Sequence, residues 1–455
     1  MEGIKKTYEE LELENTELQL LVTELMGRVV LLEKQLGMTS SNSSKPPSSN
    51  GFKKVVQNNR EVGKRSSGGQ KGHKGHTLKL AEGKEIRETH YLAVSGSCSC
   101  GTDLSVNGTV ISFERRQEWK IPDLSPFITE YQVEKKSCCC GKVHKAACPI
   151  AYNIQYGSNV HAASVYFQHR QYIPVARVQE ILSDLFGFRQ ISEGLILAGS
   201  EIAYSRLSDW EVEQIRLLQQ AAVLHTDETG MEVEGTRQWA HVCSTSERTL
   251  YQYHASRGKE AHTAHDILPS FLGVLVHDRY GSYSSYPCQH SLCNAHLLRE
   301  LKSLIEDKQA WAVQMYALIN EIYQGLHCNT SLEIAYQKIM EIGFFDNPAP
   351  KRVNAKGKIA KTASLNLLEC FRDRKKDILR FFYQENVPFD NNLAERDLRM
   401  FKLKQKISGT FRTIKGAKYF CRITSFISTL KKQQRNVWNN LCVLFNNHTQ
   451  WADAL

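Results

Sequence analysis

The N-terminal segment carries apolar residues at two positions of a heptad repeat. One position holds Ile4, Leu11, Leu18, Leu25 and Leu32, and the other holds Tyr8, Asn15, Val22, Val29 and Leu36. Leucine at one position with valine at the other favours two parallel helices, and a single asparagine in the seam fixes their register. We therefore predict a leucine-zipper coiled coil over residues 1–38 and a homodimer or higher assembly. A single amphipathic helix docked on its own domain is the alternative.

A second pattern, of short apolar runs and alternating stretches, covers residues 216–290. The run from Val223 to Thr226 and the stretches RQWAHVCST and TLYQYHAS predict a three-stranded antiparallel meander. KEAHTAHDILPSF is then predicted to be a helix, and GVLVHD a strand buried on both faces. The order β-β-β-α-β places Asp227 on the first strand and Asp278 at the end of the fourth. This order is typical of a ribonuclease-H-like catalytic α/β domain, in which those two strands are neighbours and both carboxylates lie side by side.

A third carboxylate is expected from a later helix, and the candidates are Glu385, Asp390 and Glu395. Glu395 is favoured because FDNNLAERDLRMFKLK places it just inside a helix start. Asp227, Asp278 and Glu395 are then expected to bind two Mg²⁺ (or Mn²⁺) ions. Such ions activate the attacking oxygen and stabilise the leaving oxygen in phosphoryl transfer.

Each of these acids also has a local explanation. Asn392 with Glu395 fits a capping box, and Glu395 with Arg399 fits an i,i+4 ion pair. Glu228 competes with the aspartate that precedes it, and Asp278 alone is explained as a solvated acid at a strand end. The metal site is favoured because all three acids fit one fold.

Positive charge is concentrated in two stretches of a chain whose formal net charge is +10. The first stretch, residues 39–80, is rich in Ser, Gly and Pro and includes Lys71 and Lys74. It is predicted to be either a solubilising linker or a basic arm on DNA phosphates. The second stretch follows the third acid on its helix and comprises Arg396, Arg399, Lys402, Lys404 and Lys406. Beside a nuclease metal site, we expect these side chains to bind a DNA backbone.

Two cysteine-rich turns, CSCG and CCCG, predict a zinc-ribbon-like module over residues 81–150. They are separated by β-type stretches such as VISFERRQEW and FITEYQVEKK, so that thiolates from two tight turns can converge on one tetrahedral Zn²⁺ ion. The expected zinc ligands are Cys98, Cys100, Cys138 and Cys140. The substitutes are Cys139, His144 or Cys148, and buried cysteines without metal are the alternative.

Residues 151–215 have the rhythm of a helix-turn-helix region. A first helix from about Val175 to Leu185 ends at Gly187, and Ser192 caps a second helix through Ala198. The early residues of the second helix are candidates for contact with bases in the major groove. Helical hairpins of this kind are also common in cores without any contact to DNA.

The C-terminal part of the chain is predicted to be mostly helical. Residues 291–379 form a helical insertion, residues 380–430 complete the catalytic core, and residues 431–455 are a C-terminal helical segment. Cys293 and His296, with Cys288 as a further candidate, could bind a metal, but a C-x-x-H pair on a helix is more often packing or a hydrogen-bonded pair. No metal is assigned to that pair.

The chain has no long uncharged apolar run, and acidic residues interrupt any signal peptide in MEGIKKTYEELELENTEL. Its thirteen cysteines, an odd number, then favour a reducing compartment in which thiols bind metal or pack. We expect a multidomain α+β protein of the cytoplasm with no membrane segment.

Several motifs resemble those of the transposases of the insertion-sequence-66 family: HTDETG, HDRYGSY with CNAHLLREL, DNNLAERDLR with KISGTF, and GGQKGHKGH. The likeness extends over nearly the whole chain, although CSCG and CCCG depart from the family's usual knuckle spacing and HDRYGSY lacks a glycine directly after the acid. The resemblance implies a DDE triad, here Asp227, Asp278 and Glu395, and strand transfer without a covalent enzyme intermediate. It also implies a bacterial, nucleoid-associated protein that binds element ends and target DNA, with accessory transposition proteins as further partners.

The expected function is a metal-dependent DNA transposase that frees a 3′-hydroxyl at element ends and joins it to target DNA. A zipper-dimerised DNA-binding regulator without catalysis is one alternative, in which the acids are structural. A structure-specific nuclease is the other, and it would hydrolyse DNA without joining it.

Overall fold

A computed structural model describes the chain over residues 79–350 and 360–446, together with Leu18, Val22, Leu25, Met26 and Val29. The chain divides into two compact units, residues 54–127 and residues 1–53 with 128–455. The described N-terminal residues are helical, and their side chains are between 50% and 67% exposed. Lys71, Lys74, the GGQKGHKGH motif and the rest of the predicted zipper lie outside the described residues.

The described part of the smaller unit, residues 79–127, contains a short 3-10 helix at Gly83–Glu85 and no strand. The β-type stretches predicted in VISFERRQEW and FITEYQVEKK are therefore wrong, apart from the last two residues of the second stretch. Their apolar side chains are exposed, with Ile111 at 96% and Ile128 at 94%. An alternating sequence is stable as a strand only where it also has cross-strand neighbours and a buried face.

The larger unit contains a small hairpin and one main sheet. The strands are β1 (Lys135–Ser137), β2 (Val143–Lys145), β3 (Val223–Val233), β4 (Thr236–Ser244), β5 (Thr249–His254), β6 (Val274–His277) and β7 (Gln289–Leu292). β1 pairs with β2, and the main sheet has the order β5-β4-β3-β6-β7. β3, β4 and β5 form the predicted antiparallel meander, and β6 and β7 continue the sheet in parallel with β3. β3 and β6, the first and fourth strands predicted for this domain, are therefore neighbours, as expected.

Helices pack around this sheet in the described part of the larger unit. In chain order they are α1 (Ser158–Val165), α2 (Val175–Asp184), α3 (Glu193–Arg206), α4 (Ser208–Gln219), α5 (Lys259–Ala264), α6 (Asn294–Glu306), α7 (Ala310–Tyr323), α8 (Asn329–Asp346), α9 (Ala363–Asp373), α10 (Lys375–Ile378), α11 (Arg380–Tyr383), α12 (Asn392–Ser408), α13 (Ile414–Lys432) and α14 (Val437–Phe445). No described helix is both long enough and apolar enough to cross a membrane.

Each face of the main sheet is covered by its own apolar core. On one face, strand residues pack against α12 and α13 in a cluster that includes Met231, Val233, Val242, Tyr251, Leu398, Phe401 and Phe420. On the other face, a second cluster includes Leu218 of α4 with Leu224, Leu250, Phe271, Leu275 and Tyr283. Because successive strand residues point to opposite faces, the odd-numbered residues of β3 face α12.

α2 and α3 correspond to the helix pair predicted as a helix-turn-helix. Gly187 has a φ of 70°, and the Ser192 hydroxyl accepts the Leu195 amide at 3.2 Å, so that both predicted helix boundaries are present. α3 runs to Arg206, past the predicted end at Ala198. Its buried side includes Ile196, Gly199, Ser200 and Ala203, and its exposed residues include Glu193 and Glu201. Two acids on the exposed side do not favour contact with DNA, and a base-reading role stays a prediction.

The predicted helical insertion corresponds to α6 through α10. These helices share a separate core around Trp311, Met315, Leu368 and Phe371. α6 begins directly after β7, so that the insertion starts at the edge of the sheet where β6 also ends.

Candidate active site

Asp227 and Asp278 occupy matching positions of two neighbouring parallel strands. The register of β3 and β6 pairs His225 with Val276. Two residues after this pair are Asp227, on β3, and Asp278, directly after β6. The structure therefore brings these two predicted site residues side by side, with Asp227 inside β3 and Asp278 just after the end of β6.

The adjacent acids Asp227 and Glu228 point to opposite faces of β3. Glu228 is bound on its own face, where one carboxylate oxygen accepts Arg257 Nε at 2.7 Å and the other accepts the Tyr283 hydroxyl. Asp227 shares the face of His225, which is directed toward α12. Glu228 is thus engaged within the protein, and Asp227 is the acid presented beside α12.

Asn391 fixes the start of α12 to β3. Its side-chain nitrogen donates to the Thr226 carbonyl at 2.8 Å, and its side-chain oxygen accepts His225 Nδ1 at 2.9 Å. The backbone N–H of Asn391 also donates a hydrogen bond to Cys293 Sγ at 3.2 Å. Glu395 lies one turn later on the same side of the helix, and its charge contributes to the raised pKa of Asp227.

The capping-box explanation for Glu395 is wrong. The side chain of Asn392 donates to Asp390, and the N-cap residue of α12 is Asn391, which makes no side-chain capping bond. Glu395 instead faces His296 of α6, with Oε1 lying 3.6 Å from His296 Nδ1. Both atoms are buried and have no hydrogen-bond partner.

The carboxylates repel one another. Burial, followed by repulsion from Glu228, Asp278 and Glu395, raises the pKa of Asp227 well above its ordinary value. Burial and repulsion from Asp278 also raise the pKa of Glu228, although the hydrogen bonds to its two partners oppose this. Acids from three separate segments of the chain therefore share one electrostatic environment.

Carboxylates are the donor type that suits a divalent cation, but among the described residues the one group of three or more ligand atoms within 4.8 Å of one another is Cys293, His296 and Glu395. Carboxylate oxygens are the ligands that Mg²⁺ prefers in proteins, and a cation beside Asp227 and Asp278 would offset the repulsion that adds to the effect of burial on the pKa of Asp227. The charge of Glu395 also reaches this pair, because it contributes to the raised pKa of Asp227. The residues that could hold Mg²⁺ are thus Asp227, Asp278 and Glu395.

A cleft of about 230 Å³ opens beside Asp278, lined also by Arg257, Arg279, Tyr280, Leu292, Cys293, His296, Leu297 and Glu300. The guanidinium of Arg257 lies over two rings, 5.1 Å from that of Trp239 and 4.2 Å from that of Tyr280. It also pairs with Glu228 at 2.7 Å, yet 41% of its side chain stays exposed. A rigidly held guanidinium at the edge of this cleft suits recognition of a phosphate.

The basic residues predicted on α12 divide into exposed Arg396, Arg399 and Lys406 and half-buried Lys402 and Lys404. Lys402 Nζ donates to the Gly230 carbonyl at 2.9 Å, and burial lowers the pKa of both half-buried lysines. Lys402 therefore ties α12 to β3, whereas the three exposed cations face solvent.

The two cysteine turns have the same local geometry. In CSCG the Gly101 amide donates to the Cys98 carbonyl at 2.8 Å, and in CCCG the Gly141 amide donates to the Cys138 carbonyl at 2.8 Å. Both glycines have a positive φ, 89° and 82°, which glycine adopts without steric cost. Each turn thereby presents its cysteines outward.

The predicted zinc ligands Cys98, Cys100, Cys138 and Cys140 are exposed thiols. Hydrogen bonding to Thr102 lowers the pKa of Cys100 to about 7, and hydrogen bonding to Cys140 lowers the pKa of Cys138. A lowered pKa favours the thiolate, which is the form that binds metal. One zinc ion shared by the two turns stays a prediction.

Several residues of this region were not predicted from the sequence. Arg257 follows β5 in a turn without a recognisable motif, whereas Tyr283 and Asn391 lie inside the motifs HDRYGSY and DNNLAER. His296 is part of the C-x-x-H pair that was interpreted as packing. The motifs therefore marked three of these positions without revealing what their side chains contact.

Comparison with known proteins yields one extended match. Residues 153–419 match a protein family described as Transposase IS66 family, and residues 2–79 match a family of unknown function, DUF6444. No curated protein matches the chain. The cryo-EM structure of the simian T-cell lymphotropic virus intasome in complex with PP2A regulatory subunit B56 gamma is similar at 8% identity, over 45% of this chain and 74% of that chain, with a TM-score of 0.14. That TM-score is too low to support any conclusion.

Proposed function

Because the chain belongs to the IS66 family of transposases, we propose that it is a metal-dependent DNA transposase with a ribonuclease-H-like catalytic core. In this proposal Asp227, Asp278 and Glu395 hold two divalent ions. The enzyme cleaves a phosphodiester at each element end and uses the freed 3′-hydroxyl to attack target DNA.

The convergence of the three acids supports this proposal most strongly. The β3–β6 register places Asp227 beside Asp278, and the Asn391 clamp brings the helix that carries Glu395 onto the same strand. Burial, followed by repulsion from Glu228, Asp278 and Glu395, raises the pKa of Asp227. A solvated acid at a strand end would not be buried in this way.

When bound, the metal ions supply Lewis-acid activation of the attacking oxygen and stabilisation of the leaving oxygen. The protein's own residues position the reactants. Asn391 holds the helix that bears Glu395, and Arg257 lies where it can bind a phosphate of the strand being cut. Exposed Arg396 and Arg399, on the same helix as Glu395, are available to hold the DNA backbone by charge.

The N-terminal modules are proposed to assemble the enzyme on DNA. Leu18, Val22, Leu25 and Val29 are helical and half exposed, so a second zipper helix could cover them. Such a dimer would bring two element ends together. The two cysteine turns are proposed to hold Zn²⁺, and Lys71 and Lys74 to contact phosphates.

Asp227→Asn tests the catalytic role, because it removes one metal-binding charge while keeping the side-chain size. We expect it to abolish Mg²⁺-dependent cleavage of DNA that carries the element ends and to leave binding to that DNA intact. Cleavage is followed on gels and binding by fluorescence anisotropy. Asp209→Asn, an exposed site on α4, is the matched control and should cleave like the unmodified protein. Unchanged cleavage by Asp227→Asn would refute the assignment.

The same assay with precut ends separates the alternatives. A transposase joins the 3′-hydroxyl ends to target DNA, whereas a structure-specific nuclease yields hydrolysed products only. A zipper-dimerised regulator binds the ends and cleaves nothing with either Mg²⁺ or Mn²⁺.

A further inference from the structure

Cys293, His296 and Glu395 bring three kinds of metal-ligand atom together next to the aspartate pair. The Cys293 sulfur, a ring nitrogen of His296 and a carboxylate oxygen of Glu395 all lie within 4.8 Å of one another. Cys293 is the N-cap residue of α6, and His296 lies in its first turn, three residues later on the same side. Glu395 is contributed by α12, whose start contacts the Cys293 sulfur.

We propose that these three side chains bind one divalent transition-metal ion of the Zn²⁺ class, separate from the hard ions of the aspartate pair. Zinc takes thiolate, imidazole and carboxylate ligands in tetrahedral geometry. From the ligand distances of about 2.0 to 2.3 Å, two ligand atoms on one such ion lie about 3.3 to 3.6 Å apart.

The separation of His296 Nδ1 from Glu395 Oε1, 3.6 Å, is slightly longer than the roughly 3.3 to 3.5 Å expected for a nitrogen and an oxygen on one tetrahedral ion. It is also too long for a normal hydrogen bond. Both atoms are buried and lack a hydrogen-bond partner, which is uncommon for buried polar atoms. A single ion between them would satisfy both.

The surroundings of the site complete the coordination. Cys293 and His296 line the cleft beside Asp278, so that a fourth position is open to water or to a substrate oxygen. A soft thiolate ligand selects Zn²⁺-like ions, whereas Mg²⁺ prefers oxygen ligands. The two kinds of ion therefore prefer different, neighbouring sets of ligands.

The consequence for the reaction rests on the proposed function. Glu395 belongs to both sites, and its carboxylate has two oxygens that can each bind a cation. An ion held by Cys293 and His296 joins α6 to α12 and orients Glu395 beside Asp227 and Asp278. The soft ion thus positions a catalytic ligand and does not itself act on phosphorus.

Cobalt binding to the full-length, reduced, metal-stripped protein tests the site. Co²⁺ replaces Zn²⁺ and gives a near-ultraviolet charge-transfer band when a thiolate binds it. Excess Mg²⁺ is present throughout to fill sites made only of oxygen ligands. We expect the unmodified protein to bind one more equivalent of Co²⁺ than Cys293→Ser and to show a stronger thiolate band.

His296→Gln is a second variant, needed in case Cys293→Ser does not fold. The His296 side chain is partly exposed at the cleft, so its replacement should disturb the fold less. This variant should lose the same equivalent of Co²⁺. Cys288→Ser is the matched control. Cys288 is another buried cysteine close in sequence to α6, but it packs in the core on the face of the sheet opposite α12. The control variant should bind Co²⁺ like the unmodified protein.

Equal cobalt stoichiometry and equal spectra for the unmodified protein and folded Cys293→Ser or His296→Gln would overturn the proposal, with folding checked by circular dichroism. These readouts require no DNA. Failure of the cobalt test therefore leaves the Asp227→Asn cleavage test intact, and failure of that cleavage test leaves the cobalt result intact.

Discussion

Asp227 and Glu228 differ by one methylene and one position, yet β3 sends them to opposite faces of the sheet. Glu228 is taken up by Arg257 and Tyr283, whereas Asp227 faces α12 and the other acids. The sequence offered both residues as ligands. Because the carboxylate of Glu228 is already bonded to Arg257 and Tyr283, Asp227 is favoured as the metal ligand.

The two acids are therefore expected to respond differently to loss of charge. Glu228→Gln keeps the side-chain shape but weakens the contact to Arg257, so we expect cleavage to fall about 10- to 100-fold, as for outer residues that orient a metal site. Asp227→Asn should leave no measurable cleavage. Cleavage rates over an Mg²⁺ titration provide the comparison. The reverse order of severity would assign the ligand role to Glu228.

At the scale of elements, α12 is placed by its first residues as well as by its apolar side. Leu398 and Phe401 bury that side against the sheet, but apolar contacts alone do not fix how far the helix slides along β3. Asn391 fixes this position, because its side-chain amide forms hydrogen bonds with both the Thr226 carbonyl and the His225 ring.

Asn391→Ala is expected to unfix this helix. The substitution leaves the Thr226 carbonyl and His225 Nδ1 buried without partners, at a cost of about 2 to 3 kcal/mol in the free energy of unfolding. Displacement of Glu395 by about 1 Å should lower cleavage on the order of 100-fold. Urea unfolding and cleavage rates measure the two effects.

Asn392→Ala is the matched control for this prediction. Asn392 is exposed, and its side chain bonds only to nearby Asp390. Its free energy of unfolding should change by about 0.5 kcal/mol or less. If both alanine variants behaved alike, the clamp would not be the feature that positions Glu395.

The elements that were predicted correctly have strong local signals. β3 to β6, α2 and α12 have clear periodicity or a recognisable start. β7 was missed because QHSL lacks the apolar or β-branched run of a strand, and its pairing with β6 makes it one. The helix predicted from KEAHTAHDILPSF is shorter than its sequence suggests, since α5 ends at Ala264.

At the scale of the whole molecule, several histidines are buried in the neutral form. Burial lowers the pKa of His169 and His241 to about 3 and that of His262 to about 4. Neighbouring histidines lower the pKa of His241 further. These groups lie on both sides of the sheet, so their protonation would affect the fold rather than one site.

The larger unit should lose stability in mild acid. Since the folded pKa of these histidines lies below the unfolded value of 6.5, their contribution is complete above that pH and is lost as pH falls below it. Near pH 5.5, protonation of each such histidine in the unfolded state should lower the free energy of unfolding by about 1 kcal/mol. The raised pKa values of Asp227 and Glu228 stabilise the fold as the pH falls, and they therefore reduce the total loss of stability in acid.

His262→Phe tests the histidine contribution, because phenylalanine keeps the stacking on Tyr283, whose ring centre is 4.8 Å away, and the hydrogen bond to Ser282 is lost at both pH values. Urea unfolding at about pH 7.5 and about pH 5.5 should show a smaller loss for this variant than for the unmodified protein, by about 1 kcal/mol. His90→Gln, at an exposed site, should keep the full loss. An unchanged loss in His262→Phe would contradict this account.

The sequence by itself determined the order of the core strands, the positions of Asp227 and Asp278 on them, and the helix that carries Glu395. Those features follow from local periodicity and from short motifs. Only the tertiary structure decided which of two adjacent acids faces α12, what Asn391 holds, and that His296 lies beside Glu395. These contacts join residues far apart in the chain, and no local pattern encodes them, because they depend on how strands and helices pack.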